Sequence, residues 1–245
     1  MNRRRAQPST EGLLTASERP QRSVLADSTY EAIKQLIMDN RLAAGSRISM
    51  DGLARDLAVS PTPVREALAR LDSDGLVTKR PLIGYTVAKP LDAAEFEDLF
   101  AMRLLLEPEA ARLAAPRIAA DPHQQREIAG VARAMATVPD GTGYAVYREH
   151  ANHDARFHDA IAAASGSPLL RESIARLRAH MHLYRLYWRS GIAVRTAHEH
   201  DRIVAALTAG AAKDAANAMR THIQASHDRL AEFAARHSDQ PTHGR

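Results

Sequence analysis

The sequence predicts a mainly α-helical protein: a small N-terminal unit of three helices closed by a β-hairpin, then a longer all-helical bundle. Three observations carry this expectation. Apolar residues recur at helical spacing through most of the 245 residues, the signature of amphipathic helices. Strand-like alternation is confined to two short runs, "LVTK" and "YTVA", joined by "RPLIG" at residues 76–88. The chemistry divides as well: all 12 histidines lie at or after His123, whereas the net charge of +4 resides entirely in residues 1–89.

That positive surplus is small, but its placement suits a polyanionic partner for the first third of the chain. The absence of cysteine excludes disulfides and thiolate metal sites and fits a reducing cytoplasm. No run approaches the roughly 20 apolar residues that span a bilayer, and the basic start lacks an apolar stretch of secretory length. A cytoplasmic protein without a membrane partner is expected.

Residues 1–22 lack periodicity and are expected to form a disordered basic arm, with a domain over 23–89. "STYEAIKQLIMDN" sets Tyr30, Ile33, Leu36 and Ile37 on one helical face. "MDGLARDLAV" gives a second helix with Leu53, Ala54 and Leu57 inward, and Val64, Ala67, Leu68 and Leu71 form the stripe of a third. Asp74-Gly75 ends that helix. Helix, helix, turn, helix and a two-stranded wing make the winged helix-turn-helix layout.

The third helix has an unusual entrance, "VSPTPVRE". A proline disfavours helical backbone in the residue before it, so Thr62 is expected to be the cap and Pro63 the first helical residue. Pro61 stiffens the approach. Arg65 then falls in the first turn, off the apolar stripe. A recognition helix enters the major groove by that end, where an arginine grips guanine or phosphate. The wing adds Lys79 and Arg80 beside Gly84. A solvated surface helix is the plain alternative for this stretch taken alone.

Beyond the linker "AKPLD", in which Asp92 is a candidate cap, helices are expected at 93–114, 122–137, 143–164, 168–189, 196–209 and 212–236. The expected breaks are Pro116, Pro139 with Gly141, Gly166 to Pro168, Gly191 and Gly210. A domain over 90–236 would then be followed by a disordered tail, 237–245. Asp154 and His158 stand at i and i+4 on an inward face with Ile161. His200 shares a face with Ile203, Val204 and Leu207, and His222 with Ala215 and Met219. One carboxylate and three imidazoles on three inward faces form a candidate site for a divalent metal, zinc first. Each alone is also readable as a core histidine, and Asp154 with His158 as an intrahelical pair. His198 and Glu199 are expected to face outward, and His180 and His182 are set aside. Arg103 interrupts the stripe Phe96, Leu99, Leu106, Ala110. A buried arginine needs a partner, and the candidates are Glu107 one turn later or the carboxylate of a ligand.

"LARDLAVSPTPVREALARLDSDGLV" with "GYTV" resembles the winged-helix domain of the GntR family of bacterial transcription regulators over residues 24–89. Pro61 stands where many members carry an arginine. "RLLLE", "DARFH", "EHDRIVAAL" and "MRTHI" are similar to the FCD ligand-binding domain of the FadR-type branch. The resemblance implies Arg55, Thr62, Arg65, Arg70, Lys79, Arg80 and Gly84 as the DNA-facing set. It implies Asp154, His158, His200 and His222 as metal ligands, and Arg103 as a contact to a small organic acid effector. It also implies a homodimer on pseudo-palindromic operator DNA, most often a repressor relieved by effector, and no enzymatic activity. Two alternatives stand beside it: a DNA-binding regulator whose helical half only dimerises, and a metal-dependent hydrolase carrying a winged helix, its metal activating water.

Overall fold

The computed structural model describes residues 19–136, 144–187 and 196–237, and the chain divides into two units, 1–89 and 90–245. The first unit contains helices α1 (Arg19–Met38), α2 (Met50–Asp56) and α3 (Pro61–Ser73), and strands β1 (Arg47–Ile48), β2 (Val77–Arg80) and β3 (Gly84–Val87). Of the expected core, Ile33, Val64, Ala67, Leu68 and Leu71 are fully buried, joined by Leu76, while Leu36 and Leu57 are only partly buried. Helix α1 begins at Arg19 and so takes in the last four residues of the segment expected as an arm.

Helix α2 is capped by Ser49, whose hydroxyl accepts from the Gly52 amide at 3.1 Å. It ends in a Schellman closure, with Val59 N–H to the Ala54 carbonyl and Ala58 N–H to the Arg55 carbonyl. Ala58 takes the left-handed position, φ 53°, that glycine usually fills. This closure turns the chain into α3.

The start of α3 differs from expectation. The cap is Ser60, in extended backbone and without a side-chain bond, and Pro61 is the first helical residue. Thr62 is therefore the second helical residue and not the cap. Both prolines lie in the first turn, where amides have no intrahelical acceptor, so neither costs a hydrogen bond. Burial of the Pro63 ring in the core outweighs the preference of Thr62 for extended backbone.

The wing is one strand larger than predicted. β1 pairs antiparallel with β3, which pairs with β2, in the order β1-β3-β2. Two residues are too few to show alternation, and β1 is recognisable only by the burial of Ile48. Between β2 and β3, Ile83 N–H donates to the Arg80 carbonyl at 3.3 Å. Leu82 has φ 64°, at the position after proline that a type II turn normally gives to Gly or Asn. Left-handed backbone costs an L-residue about 1–2 kcal/mol. Leu82 is fully exposed, so no packing within the chain offsets that cost.

The second unit is built from α4 (Ala93–Ala120), α5 (Pro122–Ala136), α6 (Tyr144–Ala164), α7 (Pro168–Leu177), α8 (Ala179–Tyr187), α9 (Thr196–Thr208) and α10 (Ala212–His237). Asp92 and Glu95 close a capping box at the start of α4. The helix continues through Pro116, where a break was expected. Pro116 is on the exposed side, where the carbonyl it leaves unpaired meets water, while Ala111, Ala114, Ala115 and Ile118 hold both flanks in the core. The reverse error falls at Arg178: its left-handed backbone (φ 49°) splits the helix expected over 168–189 into α7 and α8. The breaks expected at Pro139, Gly141 and Gly191 lie outside the described residues. α10 packs along α4, and α6 and α9 join them around Phe100, Phe157, Ile161, Ile203, Leu207, Met219 and Ile223. No helix of the described residues is long and apolar enough to cross a membrane.

Candidate functional site

Three helices bring the quartet together. α6 carries Asp154 and His158 one turn apart, α9 carries His200 and α10 carries His222. One ligand atom from each lies within 4.8 Å of all the others. The Nε2 atoms of His158 and His222 are 3.2 Å apart, and Asp154 Oδ1 is 3.3 Å from His200 Nε2 and 3.8 Å from His158 Nε2. The three imidazoles are buried and Asp154 is partly so. Phe157 stacks on the His200 ring at 4.0 Å, sealing one side with hydrocarbon.

A second layer fixes how these rings point. His158 Nδ1 bonds to Glu107, whose other oxygen accepts from Arg103 Nε at 2.7 Å. His222 Nδ1 bonds to Glu199 Oε2 at 2.8 Å, and Glu199 also binds Arg229. Asp154 Oδ2 takes a bond from His180 Nδ1 at 2.9 Å. Glu199 was expected to face outward; it is instead partly buried on the ligand side of α9, because the α10 ring reaches across to it. His198 is exposed, as expected. His180, set aside in the sequence, anchors the Asp154 carboxylate.

The electrostatics follow from this layer. Burial pushes the Glu107 carboxyl up, but Arg103 and His158 more than offset it and hold Glu107 ionised, well below the usual range. Burial likewise raises Glu199, yet the bonds from His222 and Arg229 bring it down to about 2. Asp154 is held well below its ordinary value against its burial by the bond from His180 and by the nearby His200 and His158 rings. Burial lowers His158 to about 4, with Glu107 opposing, and burial lowers His222 in the same direction. Both rings are therefore neutral near pH 7.

These features fit a divalent cation. An ionised Glu107 and an ionised Glu199 require Nδ1–H on His158 and His222, which leaves both Nε2 lone pairs facing each other at 3.2 Å. That arrangement is repulsive unless a positive centre lies between them. Asp154 Oδ1 and His200 Nε2 point into the same space, buried and without a hydrogen-bond partner. Three imidazole nitrogens and one carboxylate oxygen, backed by outer carboxylates, are the donor set of zinc and its neighbours in the first transition row.

Arg103 is almost wholly buried, its Nε bonded to Glu107 and its guanidinium 5.3 Å from the Phe100 ring. The internal partner named from the sequence is thus present. In the first unit, Arg55, Thr62, Arg65, Lys79 and Arg80 are exposed, and Gly84 sits at φ 92° at the wing. Thr62 lies in the first turn of α3, and Arg65, the fifth helical residue, opens the second. Arg70 is engaged within the unit, bonded to Asp27 and 4.4 Å from the Tyr30 ring.

A winged helix-turn-helix joined to a helical domain with an inward-facing ligand cluster is the architecture of a DNA-binding regulator with a sensing domain. The family of bacterial regulatory proteins called gntR matches residues 25–87, and the FCD domain matches residues 98–225. The chain belongs to the gntR family, with an FCD domain as its second half. Its members are DNA-binding, ligand-responsive regulators and not enzymes, and family membership implies DNA and a small molecule as partners. The chain is 31% identical to the Nta operon transcriptional regulator of Aminobacter aminovorans, over 82% of this chain and 96% of that protein. It is 30% identical to the probable D-xylose utilization operon transcriptional repressor of Paenarthrobacter nicotinovorans, over 85% and 90%. Among solved structures it is similar in fold to McbR/YncC of E. coli, with TM-score 0.65 and 22% identity over 85% of this chain and 98% of that one.

Proposed function

We propose that the chain is a transcription regulator of the FadR-type branch, acting as a cytoplasmic homodimer on pseudo-palindromic operator DNA. A small organic acid held at a divalent metal, zinc first, sets its DNA affinity. The observation that carries this reading is the convergence of Asp154, His158, His200 and His222 within 4.8 Å in a chain that also bears a winged helix. Those four residues hold the metal; when bound, it offers a positive centre for an effector oxygen. Glu107, Glu199 and His180 orient the ligands. Arg55, Thr62, Arg65, Lys79, Arg80 and Gly84 face DNA, with Arg65 at the entering end of α3. Arg70, already paired with Asp27, holds α1 against α3 and makes at most a secondary contact. Effector binding shifts the population of bundle arrangements and so the spacing of the two DNA heads. Release of a repressor from DNA is the expected direction.

One observation favours a second role for Arg103. Its Nε already binds Glu107, so it supports His158 through that carboxylate whether or not an effector arrives. Melting of metal-loaded protein against sugar acids, hydroxy acids, di- and tricarboxylates separates the two. A ligand at about 100 times its dissociation constant stabilises by about 2.7 kcal/mol. A hit lost in Arg103→Ala, with metal content retained, makes Arg103 an effector contact; loss of the metal itself makes it a support. Protein that purifies without metal and takes up none at micromolar zinc would overturn the proposal.

A further inference from the structure

We infer that Leu82 is an apolar wedge that enters the minor groove of duplex DNA and opens a base step there. The inference rests on the family's DNA binding and adds a contact beyond the charged and glycine residues assigned above. The observation is a conflict at the wing tip. Leu82 occupies the left-handed position of a turn, φ 64°, closed by the Ile83 amide on the Arg80 carbonyl. Glycine or asparagine would satisfy that position without strain. A leucine there is strained, and it is also wholly exposed, with Ile83 next to it half-exposed. Strain and exposure together are a cost with no return inside the chain, the condition under which an outlier points to an outside partner.

The surroundings identify that partner. Residues 75–91 contain Lys79, Arg80 and Lys89 and no acidic residue. Lys79 and Arg80 are exposed on the strand leading to the tip. Pro81 fixes the backbone immediately before it, and the three-stranded sheet holds the base of the hairpin. A rigid, basic hairpin with a protruding leucine matches the minor-groove mode in which cations track the phosphates and a leucine or isoleucine partly unstacks a base step. Two apolar side chains on so small a tip are a poor match to a membrane surface, where binding scales with buried apolar area. Flexible pyrimidine–purine steps would be preferred under the tip, so Leu82 contributes sequence preference through deformation without a hydrogen bond to a base.

The test starts from 30-bp duplexes enriched out of a random pool by the full chain, labelled at both ends for energy transfer and carrying 2-aminopurine at the step beneath the wing. Wild type is expected to shorten the end-to-end distance and raise the 2-aminopurine fluorescence. Leu82→Asn keeps a residue that tolerates the turn, so it should melt no lower than wild type. It should nevertheless bind at least about tenfold more weakly, the loss of one buried leucine side chain, with the bend and the fluorescence rise gone. Leu82→Met should restore both. Equal affinity and equal bending in Leu82→Asn overturn the wedge while leaving DNA binding standing. Failure of the wild-type chain to enrich any duplex overturns the DNA reading itself. Binding to vesicles of mixed neutral and anionic lipid that disappears in Leu82→Asn, with DNA binding unchanged, assigns the tip to lipid and also overturns the wedge.

Discussion

Glu107 binds Arg103 with one oxygen and His158 with the other, so a single carboxylate neutralises a buried guanidinium and selects the tautomer of a ligand ring. Glu107→Gln keeps the volume but loses the charge. It should weaken zinc binding about 10–100-fold, measured by competition against a chromogenic chelator; unchanged affinity would show that the ring orients without the carboxylate. Arg65 is a contrasting case, exposed and free of core packing. Arg65→Ala should weaken DNA binding by about 1–3 kcal/mol with no change in the melting temperature, and retained affinity would remove α3 from the groove. The convergence of the candidate quartet was legible because each residue shares an apolar face at helical spacing, with Asp154 and His158 one turn apart. Glu107 and Glu199 were not legible as partners of His158 and His222. Their partners lie 51 and 23 positions away, and spacing along one helix says nothing about reach between helices.

Among the elements, those with long apolar stripes were readable and their ends less so. Val64, Ala67, Leu68 and Leu71 located α3, but the local preference of a residue before proline misplaced its first residue, because burial of Pro63 decides that end. The caps give two opposed expectations. Ser49→Ala removes a real cap bond and should destabilise by about 1 kcal/mol, whereas Thr62→Ala should leave the melting temperature where it was. Ala58→Gly relieves left-handed backbone at the end of α2, net of the greater chain entropy of glycine, and should stabilise by about 0.5–1 kcal/mol. Thermal melting of the three variants side by side checks the set; a cost at Thr62 equal to that at Ser49 would restore Thr62 as the cap. β1 and the α7–α8 break left no comparable trace: one is too short for alternation, and the other turns on the backbone of Arg178 in an otherwise unbroken helical pattern.

At the scale of the whole molecule, the division between a charge-biased first part and a histidine-rich second part anticipated two units of different chemistry. The buried imidazoles also give stability a pH dependence. His158 has a folded-state value of about 4 against an ordinary 6.5, so the folded state resists protonation that the unfolded chain accepts. Its contribution is fully present above about pH 6.5 and is lost as pH falls toward 4, an effect of about 3 kcal/mol. His222 moves the same way. Metal-free protein should therefore melt progressively lower from pH 7 to pH 4.5, and His158→Gln should flatten that slope. An equally steep slope in the variant would place the titration elsewhere.

The quartet draws its four side chains from α6, α9 and α10, and α10 also lies along α4 through the middle of the bundle. An ion held by those side chains would be gripped from three helices, three of its four ligands buried and Asp154 partly so, and would escape most readily when α9 or α10 moves away from α6. Its residence time would then be the waiting time for that opening. Extraction by a chelator should reach a plateau rate that further chelator does not raise, and amide exchange in α9 and α10 should proceed at the same pace. The ion would thus act as a clock on the breathing of the bundle.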